Sequence, residues 1–413
     1  MLRRLAFAMA LVAAAAPASA SPLDLFGFGG RSPGLAGAGV ASAEDFDAVY
    51  LNPAGLAYAT RKRATVGGLA AAMRLELGAD AYPVEGPRGL EIGGQVPMPL
   101  GGALRDRVGL GFGFYVPSEA INRARAPFPG EPSFVLLESR AFVVGLLVGV
   151  GVKVTPRLAV GLSVNALAVL RGTIDVTIDG AGRFTTQSEQ RLLTRFAPIL
   201  GARYRLRDDL DLGLAVRAPS RSDYDITVTS DLGDALPLTL PEIAIAGTAQ
   251  YDPLTVAAEA AWRVLPSLTL TGHLAWHRWS AFPRPTRNPV EGNPPQPDLG
   301  FRDIVVPRAA VEYRRPALGG EVTTRAGYAF HLSPAPEQRG RELLLDNHRH
   351  QLGLGLGVAW PGRALPLHVD GWVQVHHLVH RRHDRDPAVP GDQRSFATAG
   401  DLVVGGVTVG VDL

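Results

Sequence analysis

The chain has 413 residues, no cysteine and a formal net charge of +2 from 41 basic and 39 acidic residues. That balance excludes a charge-driven nucleic-acid binder, and the missing cysteines exclude a disulfide-stapled fold. The 48 glycines and 33 prolines disfavour helix interiors and act as punctuation between periodic segments.

Residues 1–20 read as a targeting segment. Arg3 and Arg4 precede an apolar run over 5–16, and Ala18-Ser19-Ala20 forms a small-residue cleavage site, so the mature chain begins at Ser21. The run is short of the roughly 20 apolar residues that a spanning helix needs, which disfavours the alternative of an uncleaved anchor. After Ser21 the longest apolar stretch, 141–152, is broken by Gly145, Gly149 and Gly151. An exported chain of this kind is soluble in the periplasm, secreted, or a β-barrel.

Residues 21–60 do not alternate. They are rich in Gly and Ala and carry Leu23, Leu25, Phe26, Phe28, Leu35, Val49, Tyr50, Leu51 and Leu56, too much apolar surface for a solvated tail. This predicts a plug inside a barrel, with Leu25, Phe26 and Phe28 as its ligand-facing residues.

Period two dominates from there on. Leu158, Val160, Leu162, Val164, Ala166, Ala168 and Leu170 alternate with Ser163, Asn165, Arg171 and Thr173, so one strand face suits hydrocarbon and the other suits water. The pattern recurs in 210–217, 365–376 and 403–413. Predicted strands lie near 64–78, 88–98, 107–117, 134–154, 157–178, 189–207, 210–229, 240–279 (two strands), 301–315, 321–331, 348–360, 365–380 and 399–412. The turn inside 240–279 falls near either Pro253 or Pro266. Fourteen strands return both ends to the periplasm. Long connections (118–133, 280–300, 332–347, 381–398) fall on one side and short ones on the other. Strands of about 20 residues exceed the 5–6 residues usual in a sandwich. The fold class is therefore all-β: a transmembrane antiparallel barrel of about fourteen strands over 61–413, with 21–60 as a hatch inside it.

Glycine rows mark possible close approach of another backbone: Gly109, Gly111 and Gly113, and Gly353, Gly355 and Gly357. They lack the following helix that a dinucleotide loop requires. His376, His377, His380 and His383 cluster near a strand end. His376 and His377 point to opposite faces, so the reading is a solvated loop rather than a metal site. Trp262, Trp276, Trp279, Trp360 and Trp372 suit interfacial girdles. No activated nucleophile, cofactor motif or metal set is evident, so the chain reads as a non-enzyme.

Two motifs carry a resemblance. Ser32-Pro33-Gly34-Leu35-Ala36-Gly37-Ala38-Gly39 is followed by 45–56, whose core is Asn52-Pro53-Ala54-Gly55-Leu56. Further matches are Leu240-Pro241-Glu242, Trp279-Ser280-Ala281-Phe282, Arg325-Ala326-Gly327-Tyr328 and Ser333-Pro334. Together these resemble the FadL/TodX outer-membrane transporters. The resemblance implies a monomeric fourteen-stranded barrel with an N-terminal hatch bearing Asn52, Pro53 and Ala54. It implies passive uptake of long-chain fatty acids or hydrocarbons, no cofactor, and insertion by the barrel-assembly machinery. It also implies lateral exit at a kink in the third strand, here the strand with Gly109, Gly111 and Gly113. Two features depart from the family: a terminal Leu413 where an aromatic residue is usual, and a short Pro-rich 118–133 loop. The competing expectations are a non-transporting barrel used for adhesion or phage attachment, and an outer-membrane lipid-processing enzyme.

Overall fold

The computed structural model describes residues 22–118, 131–138, 144–178, 184–231, 243–287, 296, 298–340, 343–388 and 395–413. The targeting segment, most of the 118–133 loop and the Leu240-Pro241-Glu242 motif lie outside them.

Fourteen strands form the wall. The first seven are β1 (Arg63–Leu77), β2 (Arg88–Pro97), β3 (Val108–Pro117), β4 (Gly145–Lys153), β5 (Leu158–Ile178), β6 (Phe184–Arg207) and β7, in two stretches (Leu210–Arg217 and Ser220–Asp231). The rest are β8, also in two stretches (Ile243–Asp252 and Thr255–Leu265), β9 (Leu268–His277), β10 (Ile304–Ala317), β11 (Gly320–His331), β12 (Arg349–Trp360), β13 (Leu367–Asp384) and β14 (Ser395–Asp412). Chain neighbours pair antiparallel. The sheet closes where β1 meets β14, in register from Arg63 opposite Asp412 to Leu77 opposite Thr398. Closure leaves no edge strand to face hydrocarbon. Beyond the wall, the outer part of β5 also pairs in parallel with β7, from Leu170 opposite Tyr224 to Thr177 opposite Asp231.

Alternation sorts the side chains as expected. On β12, Leu352, Leu354 and Leu356 face outward and more than half of each is exposed, whereas Gln351 is buried. Leu270 and Leu274 on β9, and Val403 and Val407 on β14, repeat the pattern.

The turn left open in 240–279 falls at Pro266-Ser267, because Leu268 pairs back onto Leu265. Asp252-Pro253 only bends β8, since both its stretches lie against β7. The strand expected over 134–154 is shorter, starting at Gly145. Phe134 and Leu137 turn inward and are buried, and Pro132–Ser133 pairs instead with Leu343–Leu344 from another outer connection. The solvated-loop reading of the histidines is corrected at two positions. β13 runs on to Asp384, which carries His376 and His383 on its inner face, both fully buried. His376 lies edge-on to Phe26 and His383 stacks on Phe396. Trp372 and Trp279 are likewise internal, while Trp262 is exposed.

Residues 22–60 fold as short helical turns at Pro22–Phe26, Pro33–Leu35, Ala48–Leu51 and Pro53–Tyr58. They lie against inner faces all round the wall: Gly93 on β2, Gly161 on β5, Gly213 on β7, Gly327 on β11 and Gly355 on β12.

An outward charge tests the orientation of the wall. Leu354→Arg should cost about 2–4 kcal/mol, because it places a guanidinium on the hydrocarbon face of a spanning strand. Urea titration of folded protein in lipid vesicles measures it.

Candidate functional site: the segment within the barrel

The Asn52-Pro53-Ala54-Gly55-Leu56 motif has a physical reading residue by residue. Asn52 is extended and caps the following 3-10 turn, its side-chain oxygen accepting from the Ala54 N–H. Its amide donates to Val40 O at 2.6 Å and to Ala202 O at 2.9 Å, so one buried side chain joins two parts of the segment to β6. Pro53 occupies the first helical position, where its missing N–H is harmless. The wall yields to the motif: a Cβ at Gly201 would lie 2.0 Å from Asn52 Oδ1, and one at Gly161 would lie 2.2 Å from the Pro53 carbonyl carbon.

Gly109, Gly111 and Gly113 serve the same end. A Cβ at Gly109 would lie 1.9 Å from Leu56 O; at Gly111 it would meet the Leu56 side chain, and at Gly113 the ring of Phe28. Along this row β3 is paired residue for residue with both β2 and β4. Among the described residues its ladder to β4 ends at Tyr115 opposite Gly145, while that to β2 continues to Pro117 opposite Gly89.

Glu259 on β8 was not singled out in the sequence, where it reads as one carboxylate in an alternating strand. Its side chain is fully buried. Its two oxygens accept the backbone N–H groups of Gly39, Val40 and Ala41 at 2.7, 2.9 and 2.9 Å, and His273 Nδ1 lies 2.9 Å away. Other inward side chains add to this anchor. Gln374 donates to Phe26 O and Pro33 O, with His376 Nε2 beside its oxygen. Arg308 donates to Ala36 O, and Ser163 to Val49 O.

Leu25, Phe26 and Phe28 are buried in a single apolar cluster. Phe28 packs edge-on against Phe46 with centroids 4.9 Å apart. The cluster extends to Tyr82, Phe134, Leu137, Leu343 and Leu345 of the long connections. A neighbouring cluster holds Tyr251, Trp279, Phe301 and Leu136, with Phe282 stacked on Phe301 at 4.4 Å. The residues predicted to face a ligand thus sit where the outer connections meet the segment. The cavity there, lined by Asp24, Leu136, Trp279, His331 and Arg349 among others, measures about 40 Å³, room for little more than a water molecule.

The other side of the segment is polar. A chamber of about 390 Å³ is lined by Arg31, Asp45, Asp47, Arg63, Arg325 and Asp370, with other polar groups. Glu312 bridges Arg31, Arg314 and Arg325 at 2.7–2.9 Å. Arg63 joins Asp45 to Asp412. Asp47 is pushed up to about 7, first by burial and then by Asp45.

A closed, lipid-faced barrel of fourteen strands holding its own N-terminal segment defines an outer-membrane transport barrel. The chain belongs to the family described as outer membrane protein transport protein (OMPP1/FadL/TodX), which matches residues 9–370; it is a family of transport channels, not enzymes. No curated protein matches the sequence. Among solved structures, a Pseudomonas aeruginosa FadL homologue aligns with a TM-score of 0.65 at 14% identity, covering 96% of this chain and 99% of that one. The P. putida toluene transporter TodX aligns at 0.56 and 12%, covering 94% and 99%. The CymD monoaromatic hydrocarbon channel aligns at 0.56 and 14%, covering 94% and 98%.

Two outcomes test the site. Glu259→Ala leaves three buried N–H groups without their acceptor, and losing one partner of a buried charged network costs about 3–5 kcal/mol. The segment should loosen while the wall stays closed, giving higher ion conductance in planar bilayers with the heat-modifiable band retained. In the outer connections, burial pushes Asp346 up to about 6 against the opposing influence of Ser333, Arg349 and Arg381. A carboxyl raised in the fold favours it while neutral. Its contribution is full below pH ~4 and is lost as pH rises through ~6. With the intrinsic pH dependence of exchange divided out, protection of the 343–348 amides should therefore fall from pH 5 to 7.5 in wild type, and Asp346→Asn should flatten that profile.

Proposed function

We propose that this outer-membrane channel carries small hydrophobic molecules inward by passive diffusion, with long-chain fatty acids and monoaromatic hydrocarbons as the substrate classes. In this reading residues 21–60 are a hatch, and exit is lateral into the bilayer. The observation that carries the proposal is the change of polarity along the lumen. Outer connections and hatch share one apolar cluster through Leu25, Phe26 and Phe28, whereas the space beyond the hatch is walled by ion pairs.

Capture needs no energy source, because each methylene leaving water gains about 0.8 kcal/mol. Passage straight on would forfeit that gain, since a hydrocarbon in the charged chamber would displace water and strip hydration from charged groups. A sideways route into lipid keeps the solute in an apolar medium throughout. The seam between β3 and β4 supports such a route, since among the described residues their ladder ends at Tyr115 opposite Gly145. The cavity beside Asp24 and Trp279 offers about 40 Å³, so admission there requires Phe26 and Phe28 to yield.

Uptake of labelled oleate and labelled toluene into cells lacking their own transporter, with and without this protein, tests the reading. A rise in at least one is expected, and Phe26→Arg should reduce it about tenfold or more by placing a charge in the apolar cluster. Rates equal to the empty-vector control for both solutes would sink it. The aromatic group Tyr251, Trp279, Phe282 and Phe301 at the mouth favours toluene over oleate if only one responds.

A further inference from the structure

The six short connections share a feature that the transport reading does not use. Each pairs an exposed arginine with an exposed aliphatic side chain. Arg107 follows Leu104 between β2 and β3, and Arg157 follows Val154 between β4 and β5. Arg207 lies beside Leu206 at the end of β6, and Arg263 near Leu265 before β9. Arg315 precedes Leu318 before β11, and Arg363 precedes Leu365 before β13. Lys62, just before β1, completes the ring beside the exposed Leu413, whose N–H donates to Lys62 O.

Acids occur at both ends: the first long connection carries Glu76, Asp80 and Glu85 with Arg74 and Arg88, and the short turns carry Asp106, Asp208, Asp209 and Glu321, but at the short turns the exposed bases outnumber the acids. At the short-turn end, among the described residues, no ion pair holds Arg107, Arg157 or Arg315. The acids nearby are partly committed: Asp209 to Arg207 and to the Trp262 indole N–H, Asp412 to Arg63. Short turns face the periplasm in outer-membrane barrels, so this ring lies at the height of the periplasmic leaflet's headgroups.

We propose that the ring is a binding surface for anionic phospholipids of the periplasmic leaflet. Each turn lays its aliphatic side chain among acyl chains; Arg107, Arg157 and Arg315 offer their guanidiniums directly to phosphodiesters, while Arg207, Arg263 and Arg363 share theirs with Asp209, the Asp208 carbonyl and the Trp360 ring. The geometry suits arginine, whose planar fork of donors matches two phosphate oxygens. Because the pairs recur at every turn round the circumference, the surface is an annulus for several lipids rather than a pocket for one. Zwitterionic lipid offers the same phosphate with a cation attached, so the prediction is selectivity for net negative charge.

The test uses the full-length mature barrel in a neutral detergent, given equimolar dioleoylphosphatidylglycerol and dioleoylphosphatidylcholine, with bound lipids counted by native mass spectrometry. An excess of at least about fivefold for the anionic lipid is expected, falling toward unity in about 0.5 M salt. The variant Arg107→Gln/Arg157→Gln/Arg263→Gln/Arg315→Gln should lose most of the excess while keeping its heat-modifiable band. Equal binding of both lipids by the wild type overturns the proposal, as does an excess that survives in the variant. Competition by about 10 mM inorganic phosphate at constant ionic strength would mark a free-anion site and overturn the lipid assignment. Should the fourfold variant not fold, Arg107→Gln/Arg315→Gln carries the comparison, with about half the excess lost.

Discussion

The constraint on which the molecule rests is that no backbone N–H or C=O of the wall can be left unpaired in hydrocarbon. The ladder from Arg63–Asp412 to Leu77–Thr398 meets it by joining the first strand to the last. Closure has a consequence for the interior. Once fourteen strands are joined, the lumen is wider than their own inward side chains fill, and the space must be occupied by water, a ligand or another part of the chain. Here the N-terminal segment occupies it, and most of the inward chemistry of the wall follows from that choice. Where the segment's backbone runs along the wall, the wall has glycine; where its amides and carbonyls need partners, the wall has Glu259, Asn165's neighbour Ser163, Arg308 and Gln374.

The two kinds of contact have different energetics. Glycine faces permit close packing but supply no directional hold, so they leave the segment's position to the hydrogen bonds. Those bonds are spread over β5, β8, β10 and β13. Glu259 is the most heavily used, with both oxygens and three successive amides engaged. A fixed anion meeting a row of N–H groups is a strong, water-excluding clamp. It sits at Gly39–Ala41, away from Leu25, Phe26 and Phe28. If the segment acts as the proposed hatch, its middle would stay fastened there while movement of its first turn would have to break the Gln374 bond to Phe26 O.

Period two made the wall legible from the sequence, because lipid and lumen impose opposite polarity on successive residues; the outward leucines of β12 needed no tertiary information. The count of fourteen followed, and the turn at Pro266 rather than Pro253 did not. A bend and a reversal both use proline, and only pairing tells them apart. The burial of His376 and His383 was hidden for a related reason. Their outward neighbours, His377 and Asp384, make the strand end look solvated, and the inward partners are Phe26, distant in sequence, and Phe396, on the next strand across a long connection. The Asn52 motif was legible as a signature, and its work emerges only with Val40 and Ala202 in place. Glu259 gave no signal at all, since one carboxylate on a lumen face is what any barrel strand shows. The glycines Gly109, Gly111 and Gly113 were visible as a row, and their role depends on what lies opposite: Leu56 and Phe28 rather than empty space.

The polarity of the lumen bears on direction as well as route. Under the proposed route, a solute among Phe134, Leu137 and Leu343 would lie in an apolar cluster, so entry from water would be downhill and transfer on to lipid nearly level. On that route the charged chamber beyond the segment would be a steep step, with Arg31, Arg314 and Arg325 on its wall and Glu312 holding them together. That step does not need to close physically to exclude hydrocarbons, because desolvating a network of ions is enough. The same network holds Arg31 of the segment to β10 and β11 through Glu312 and Arg325. Charge at the periplasmic end thus fastens the segment from below, and under the proposed route the same groups would turn apolar solutes aside toward the membrane.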